Sequence, residues 1–127
     1  MLLHDLLAGK PCSSSLRGSR VLVVEDDYLL AQDLGEQLQS WGAEVMGPAA
    51  TVAGALALLE AGPAPVEAIL DIRLGDGWVY PVADVLRARG IPFVFATGCD
   101  AWVIPDDYAD VPLTEKPVAL RDAPAAP

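Results

Sequence analysis

The sequence has few of the residues that most catalytic and metal-binding proteins use. It contains one histidine, His4, and two cysteines, Cys12 and Cys99, in 127 residues. A single isolated histidine excludes the usual zinc sites and a histidine-based phosphate carrier, and it leaves Cys99 without a base that would activate its thiol. Two cysteines are too few for a disulfide framework, so we expect both to be reduced.

Basic residues and long apolar runs are also scarce. Lys and Arg number 8 against 18 Asp and Glu, a net charge of −10, and residues 21–127 hold 17 acids against 5 bases. Such an acidic surface repels phosphate backbones, which argues against nucleic-acid binding. No apolar run approaches the roughly 20 residues of a membrane span, and residues 1–8 lack the leading positive charge of a secretory signal. We therefore expect a cytoplasmic protein without a membrane partner.

Short apolar runs predict the strands of one parallel sheet. Four of them have the β-branched and aromatic content of buried strands: Val21 to Val24, Val66 to Leu70, Ile91 to Ala96 and Val111 to Leu113. A further strand fits Ala43 to Met46. Three apolar stripes at helical spacing separate the first four strands: Leu30, Leu34, Leu38 and Trp41; Val52, Ala55, Leu56 and Leu59; and Val79, Val82, Ala83 and Leu86. This alternation predicts an α/β fold with right-handed crossovers and helices on both faces.

Polar residues follow the four apolar runs at the points where the strands should end. They are Glu25 and Asp26, Asp71, Thr97, and Lys116. Ligands of such sheets bind beyond the carboxyl ends of the strands, so we expect these side chains to converge. Three close carboxylates repel one another until a hard cation such as Mg²⁺ neutralises them. A carboxylate nucleophile, a metal, a lysine and a hydroxyl donor are together the requirements of phosphoryl transfer.

These motifs resemble the receiver domain of two-component response regulators. The matching segments are Val21-Leu-Val-Val-Glu-Asp-Asp27, the strand that ends at Asp71, Thr97 after Phe95-Ala96, and Lys116-Pro117. The stretches Phe95-Ala-Thr-Gly98, Tyr80-Pro-Val-Ala-Asp84 and Ile91-Pro-Phe93 resemble a single-domain subgroup called FATGUY regulators. The match runs from about Arg20 to Pro117.

The resemblance implies a flavodoxin-like, doubly wound, five-stranded parallel sheet in the order 2-1-3-4-5. It implies that Asp71 is the phosphoacceptor, that Thr97 bonds the phosphoryl oxygen and that Lys116 pairs with it. Asp26 would bind Mg²⁺ directly and Glu25 through a water, and the backbone carbonyl of Arg73 would be another ligand. The phosphodonor would be a sensor histidine kinase, and the domain would catalyse at most its own phosphorylation and dephosphorylation.

Three features depart from the usual receiver pattern. Leu113 stands where most receivers have an aromatic residue that moves on phosphorylation. The segment Cys99 to Asp110 contains Pro105 and lacks a helical stripe, so we expect an irregular fourth helix or a mobile loop that is the moving part. The last helix is predicted to be missing or vestigial, because residues 118–127 hold Pro124 and Pro127. The open sheet face would then be covered by a second copy or another partner.

The sequence therefore divides into a flexible leader at 1–19, a receiver domain at 20–117 and a short tail at 118–127. No effector domain fits in this length, so we expect the domain to signal by protein contact. A pseudo-receiver that binds partners without phosphorylation is the alternative, favoured by Leu113 and the short C-terminus. A haloacid dehalogenase-type phosphatase is disfavoured because Arg73 occupies the place of its second acid, and no Gly-x-Gly-x-x-Gly motif supports dinucleotide binding.

Overall fold

The computed structural model describes residues 17–98 and 104–118. Three α-helices are present in this part of the chain: α1 (Tyr28–Ser40), α2 (Val52–Ala61) and α3 (Tyr80–Ala88). The strands are β1 (Arg20–Val24), β2 (Glu44–Ala49), β3 (Glu67–Asp71), β4 (Arg73–Leu74), β5 (Gly77–Trp78), β6 (Phe93–Thr97) and β7 (Leu113–Glu115). No helix of these residues has the length and apolar character required to span a bilayer.

Five strands form one parallel sheet in the order β2-β1-β3-β6-β7. β4 and β5 form a separate antiparallel hairpin that does not join this sheet. When only the strands of the sheet are counted, β6 is the fourth and β7 the fifth, so the predicted flavodoxin-like order 2-1-3-4-5 is confirmed. β1, β3 and β6 lie in the interior of the sheet, and nearly all their side chains are buried. Their continuous apolar runs are explained by this burial on both faces.

Alternate residues of the central strands belong to two separate hydrophobic cores, one on each face of the sheet. Leu22, Leu70 and Phe95 pack with α2 and α3 on one face of the sheet. Val23, Ile69 and Val94 pack with α1 on the other face, together with Val118 at the end of the described chain. Side chains point to opposite faces at every second residue of a strand, so Thr97 lies on the same face as Phe95.

Most strand ends differ by one to three residues from the sequence prediction, and two differences concern the loop after β3 and the last strand. The hairpin β4–β5 was not predicted, although its two-residue connection, Gly75-Asp76, is a recognised turn signal. The last strand begins at Leu113, whereas the prediction placed it at Val111 to Leu113. Pro112 lacks an N–H and contributes only its carbonyl, which accepts from the Phe95 amide at 2.9 Å. Val111 is buried in the core beside the strand.

The irregular fourth helix is confirmed for the part of this segment that the structure describes. Asp106–Tyr108 form a 3-10 helix, and residues 99–103 lie outside the described chain. Residues 107–110 contact α3, and the mobility of the segment stays a prediction. Tyr108 donates a hydrogen bond to Asp84, and the Arg87 guanidinium lies 3.1 Å from Asp110. The predicted leader up to residue 16 and the predicted vestigial helix after Val118 also lie outside the described residues.

Candidate functional site

The polar residues predicted from the strand ends converge at the carboxyl edge of the sheet. Asp71 ends β3, Thr97 ends β6, and Lys116 follows β7. A cavity of about 450 Å³ opens there, and its lining comprises Asp26, Asp71, Ile72, Arg73, Leu74, Gly75, Thr97, Gly98 and Lys116. Glu25 is only 6% exposed, and its carboxylate contacts Lys116 at the edge of this cavity.

Lys116 joins the two buried carboxylates of the site. Its Nζ lies 2.8 Å from Asp71 Oδ1 and 3.1 Å from Glu25 Oε2. The side chains of Asp71 and Glu25 are each 6% exposed and that of Lys116 is 19% exposed, so these ion pairs are largely shielded from water. Contacts of this kind are charge-assisted and shorter than neutral hydrogen bonds. The lysine therefore supplies a fixed positive charge directly beside Asp71.

Three carboxylates gather close enough to share one cation. Oxygen atoms of Glu25, Asp26 and Asp71 all lie within 4.8 Å of one another. Asp71 Oδ2 and Thr97 Oγ1 are buried and make no hydrogen bond within the described residues. Buried polar atoms are normally satisfied, so these two point to a ligand that completes the site. The all-oxygen donor set and its excess of negative charge fit Mg²⁺.

Without a bound cation, the surroundings of Asp71 destabilise its ionised form and raise its pKa. Burial raises the pKa of Asp71 to about 6, and the charge of Glu25 acts in the same direction while Lys116 opposes both. Burial alone would lower the pKa of Lys116, but its contacts with Asp71 and Glu25 outweigh burial and raise that pKa. Lys116 is therefore charged at neutral pH and only partly offsets the unfavourable environment of the Asp71 carboxylate.

The three adjacent acids after β1 have different positions. Glu25 is held by its amide, which donates to the Ala49 carbonyl at 2.9 Å, and its Oε1 accepts from the Asp27 amide at 3.1 Å. Asp27 is the N-cap of α1, where its Oδ1 accepts from the amides of Leu29 at 3.0 Å and Leu30 at 3.1 Å. Asp27 thus has the ordinary helix-capping position, whereas Glu25 and Asp26 face the site.

The sequence prediction missed the structure of the loop after Asp71. β4 and β5 pair Arg73 with Trp78 and Leu74 with Gly77. Asp76, at the tip of this hairpin, accepts hydrogen bonds from the amides of Val52 at 2.8 Å and Ala53 at 3.2 Å. The Gly75-Asp-Gly77 stretch indicates a turn, but no local pattern shows that its carboxylate reaches the first turn of α2.

Leu113, the residue at the usual aromatic position, is 49% exposed and contributes little to the core. An aromatic side chain comes instead from Tyr108, five residues earlier in the chain. Its ring stacks on Tyr80 with centroids 4.7 Å apart and meets the edge of Phe95 at 6.1 Å. Aromatic contacts with the strand that carries Thr97 are therefore made both by Tyr108 of the 3-10 helix and by Tyr80 of α3, whose ring also meets Phe95 at 6.1 Å.

Comparison with solved structures identifies similar proteins over most of the chain. SdrG from Sphingomonas melonis Fr1 is 41% identical, with a TM-score of 0.71, and the match covers 80% of this chain and 86% of SdrG. A BeF3-activated conformation of SdrG also matches, with a TM-score of 0.67. The response regulator REC domain of Erythrobacter litoralis PhyR is 28% identical, with a TM-score of 0.69 and 82% of each chain covered.

One curated protein is also similar in sequence to this chain. The phyllosphere-induced regulator PhyR of Methylorubrum extorquens is 29% identical over 92 residues, which are 71% of this chain. The chain spans about a third of the length of that relative, 34%. No protein-family model matches the sequence.

Proposed function

The chain belongs to the receiver-domain family of response regulators, and we propose that it accepts a phosphoryl group on Asp71 in a Mg²⁺-dependent reaction. The observation that supports this most directly is the pairing of Asp71 Oδ1 with Lys116 Nζ at 2.8 Å, beside an Oδ2 atom that is buried and without a partner. One oxygen is held by a cation, and the other is available to a ligand in the cavity. A purely structural aspartate would have both oxygens satisfied or exposed to water.

In the proposed reaction, a carboxylate oxygen of Asp71 attacks the phosphorus of a phosphohistidine on a sensor histidine kinase. A P–O bond forms and the P–N bond breaks; its electron pair stays on the imidazole nitrogen, which then takes up a proton. Lys116 balances charge at the acceptor, and the Thr97 hydroxyl donates to a phosphoryl oxygen. Glu25, Asp26, Asp71 and the backbone carbonyl of Arg73 would hold Mg²⁺, which supplies charge neutralisation.

A protein phosphodonor is supported by the surface next to the acidic cluster. Tyr28 is 74% exposed and Leu29 is 73% exposed, and both lie in the first turn of α1 directly after Asp26 and Asp27. Two adjacent exposed apolar side chains that directly follow a residue lining the cavity, Asp26, favour contact with another protein. The phosphorylated domain would in turn signal through protein contacts.

Phosphorylation with acetyl phosphate, read by intact mass, tests this proposal. We expect a gain of one phosphoryl group that requires Mg²⁺ and disappears in Asp71→Asn. Asp33→Asn is the matched control, because Asp33 lies on the exposed face of α1, where it accepts from Gln37, and this variant should be phosphorylated normally. BeF3⁻ offers a second probe, because SdrG has been solved in a BeF3-activated conformation.

Two results would contradict the proposal. A phosphoryl gain that persists in Asp71→Asn would place the acceptor elsewhere in the chain. No gain in any variant, together with no binding of BeF3⁻ and Mg²⁺, would favour the alternative of a phosphorylation-independent interaction module. Among the described residues, the exposed Leu113 favours this alternative.

A further inference from the structure

The loop that follows Asp71 is anchored to a helix at its tip. Asp76 accepts from the amides of Val52 at 2.8 Å and Ala53 at 3.2 Å, the first two residues of α2. The contact between Val52 and Asp76 spans 24 positions of the sequence. The hydrogen bond to the Val52 amide is the largest of the effects that lower the pKa of Asp76, so this carboxylate is ionised at neutral pH.

The strands of the hairpin are held by Leu74, which is buried in the core, and by the Trp78 ring, which stacks on Tyr80 at 6.3 Å. The tip itself has fewer contacts. The strands are two residues each, Gly75 and Gly77 flank Asp76, and a Cβ added at either glycine would meet nothing within 4 Å. The base is closed by a hydrogen bond from the Val79 amide to the Ile72 carbonyl at 2.9 Å. Isolated two-stranded hairpins are marginally stable in water, and glycine adds conformational freedom. The Asp76 contact therefore adds a restraint at the tip beyond the core packing of Leu74.

The connection between β2 and α2 is also hydrogen-bonded to the acidic loop after β1. The Glu25 amide donates to the carbonyl of Ala49 at 2.9 Å, and Ala49 ends β2 three residues before Val52. Two hydrogen-bonded links therefore meet at the β2–α2 connection. One leads to Glu25 and Asp26, and the other leads through Asp76 to Arg73.

We propose that Asp76 is a positioning residue that fixes the hairpin, and with it the backbone carbonyl of Arg73, relative to Glu25 and Asp26. This inference rests on the proposed Mg²⁺-dependent function of the same site. Metal sites lose affinity when the groups that orient their ligands are removed. Without Asp76, the hairpin would be held by the core packing of Ile72 and Leu74 alone, so the Arg73 carbonyl would be less well fixed and the affinity for the cation would fall.

A simple helix cap is the competing explanation, and the chain provides a matched control for it. Thr51 caps the same helix through its Oγ1, which accepts from the Gly54 amide at 2.9 Å. Thr51→Ala removes a cap from α2 but leaves the hairpin contact in place. Asp76→Ala removes both a cap and the contact. A difference between the two variants therefore reports on positioning and not on helix stability.

The test measures Mg²⁺ affinity by calorimetry, and amide hydrogen exchange of residues 73–78 in the metal-free protein. Asp76→Ala should raise the Mg²⁺ dissociation constant by about 5- to 10-fold, near the lower end of the effects seen for groups that orient metal ligands, and should speed exchange in the hairpin. Thr51→Ala should leave the constant within about twofold and the hairpin exchange unchanged. Asp76→Asn, which keeps one acceptor oxygen, should give an intermediate constant even if Asp76→Ala folds poorly.

Each contrary result has a distinct meaning. If the wild-type chain binds Mg²⁺ and the Asp76 variants bind it equally well, or if Thr51→Ala weakens binding to the same extent, the positioning role is wrong and the proposed function stands. If the wild-type chain binds no Mg²⁺, the proposed function fails, and the metal-positioning role fails with it.

Discussion

At Asp71, burial and the charge of Glu25 disfavour the ionised carboxylate and raise its pKa to about 6. Protonation of this carboxylate competes with a cation for the same oxygen atoms, so metal affinity falls as the pH decreases through this pKa. We expect the apparent Mg²⁺ dissociation constant to be about tenfold higher at pH 5 than at pH 7, one factor of ten for each pH unit below the pKa. Calorimetric titrations with Mg²⁺ at the two pH values measure both dissociation constants.

Asp71→Asn provides the control for this pH dependence. The amide does not titrate, so the affinity of the variant should be weaker overall and should change much less between pH 7 and pH 5. An equal change in both proteins would assign the pH dependence to other carboxylates of the cluster.

Lys116 is the counter-charge of two carboxylates that are each 6% exposed. Lys116→Met removes this charge and leaves Asp71 and Glu25 to repel one another. Breaking a buried ion pair in this way should lower the free energy of unfolding by roughly 2 to 4 kcal/mol in metal-free solution at pH 7. Mg²⁺ should recover part of the loss, because the cation replaces the missing charge. Urea denaturation with and without Mg²⁺ measures both effects.

An exposed ion pair gives the comparison for Lys116. Arg20 lies 3.2 Å from Glu44, and the two side chains are 29% and 65% exposed. Because Arg20 also donates to the Ala64 carbonyl, the matched change is Glu44→Gln, which removes the charge of the exposed partner alone. Glu44→Gln should cost about 1 kcal/mol or less, as is usual for surface pairs, and Mg²⁺ should not recover it. If Lys116→Met were no more destabilising than Glu44→Gln, the carboxylates would not depend on the lysine.

The elements show where sequence reasoning succeeded and where it failed. The apolar stripe Val79, Val82, Ala83 and Leu86 is fully buried, as its spacing predicts, because helical periodicity is a local property. The hairpin tip was missed, since the contact between Asp76 and Val52 joins positions that are distant in sequence. The same holds for the contact of Lys116 with Glu25, which are separated by 91 positions. Such contacts depend on the fold and leave no local pattern.

Tyr108 shows a further limit of pattern reading in the segment before β7. Three aspartates and Pro105 indicate a solvated loop, yet Tyr108 is 9% exposed and is held between Tyr80, Phe95 and the Arg87 guanidinium, 5.2 Å from its ring. Burial and the adjacent Asp84 raise the pKa of its phenol to about 12, so the tyrosine remains a hydrogen-bond donor at neutral pH. One aromatic residue therefore anchors the 3-10 helix on α3.

Tyr108→Phe tests this anchor. The ring contacts remain and only the hydrogen bond to Asp84 is lost, so we expect a destabilisation of about 1 kcal/mol and faster amide exchange in residues 106–111. Tyr28→Phe is the control, because Tyr28 is 74% exposed and its phenol is free to contact water. Unchanged exchange at residues 106–111 in Tyr108→Phe would show that stacking alone holds the segment.

For the whole molecule, the parallel sheet with helices on both faces was predictable because strands and helices alternate along the chain. The strand order itself was implied only by the resemblance to receiver domains. The convergence of Glu25, Asp26, Asp71, Thr97 and Lys116 follows from the alternation of strands and helices, since every strand of the sheet is parallel and its carboxyl end lies at one edge. The pattern does not specify side-chain contacts at that edge. The buried pairing of Lys116 with Asp71 and Glu25 required the structure.

The charge of the whole chain affects how ligand binding must be measured. With a net charge of −10, any cation screens self-repulsion and stabilises the folded state to some extent. A ligand that binds the folded state specifically adds a stabilisation set by its concentration relative to its dissociation constant.

Mg²⁺ with BeF3⁻ at about one hundred times that constant should raise the free energy of unfolding by about 2.7 kcal/mol. NaCl at equal ionic strength should give a smaller rise that is the same in wild type and Asp71→Asn. The additional rise with Mg²⁺ and BeF3⁻, beyond this effect of ionic strength, should be much larger in wild type than in Asp71→Asn. An equal response of the two proteins to Mg²⁺ and BeF3⁻ in denaturation curves would mean that the cation acts on the overall charge and not at Asp71.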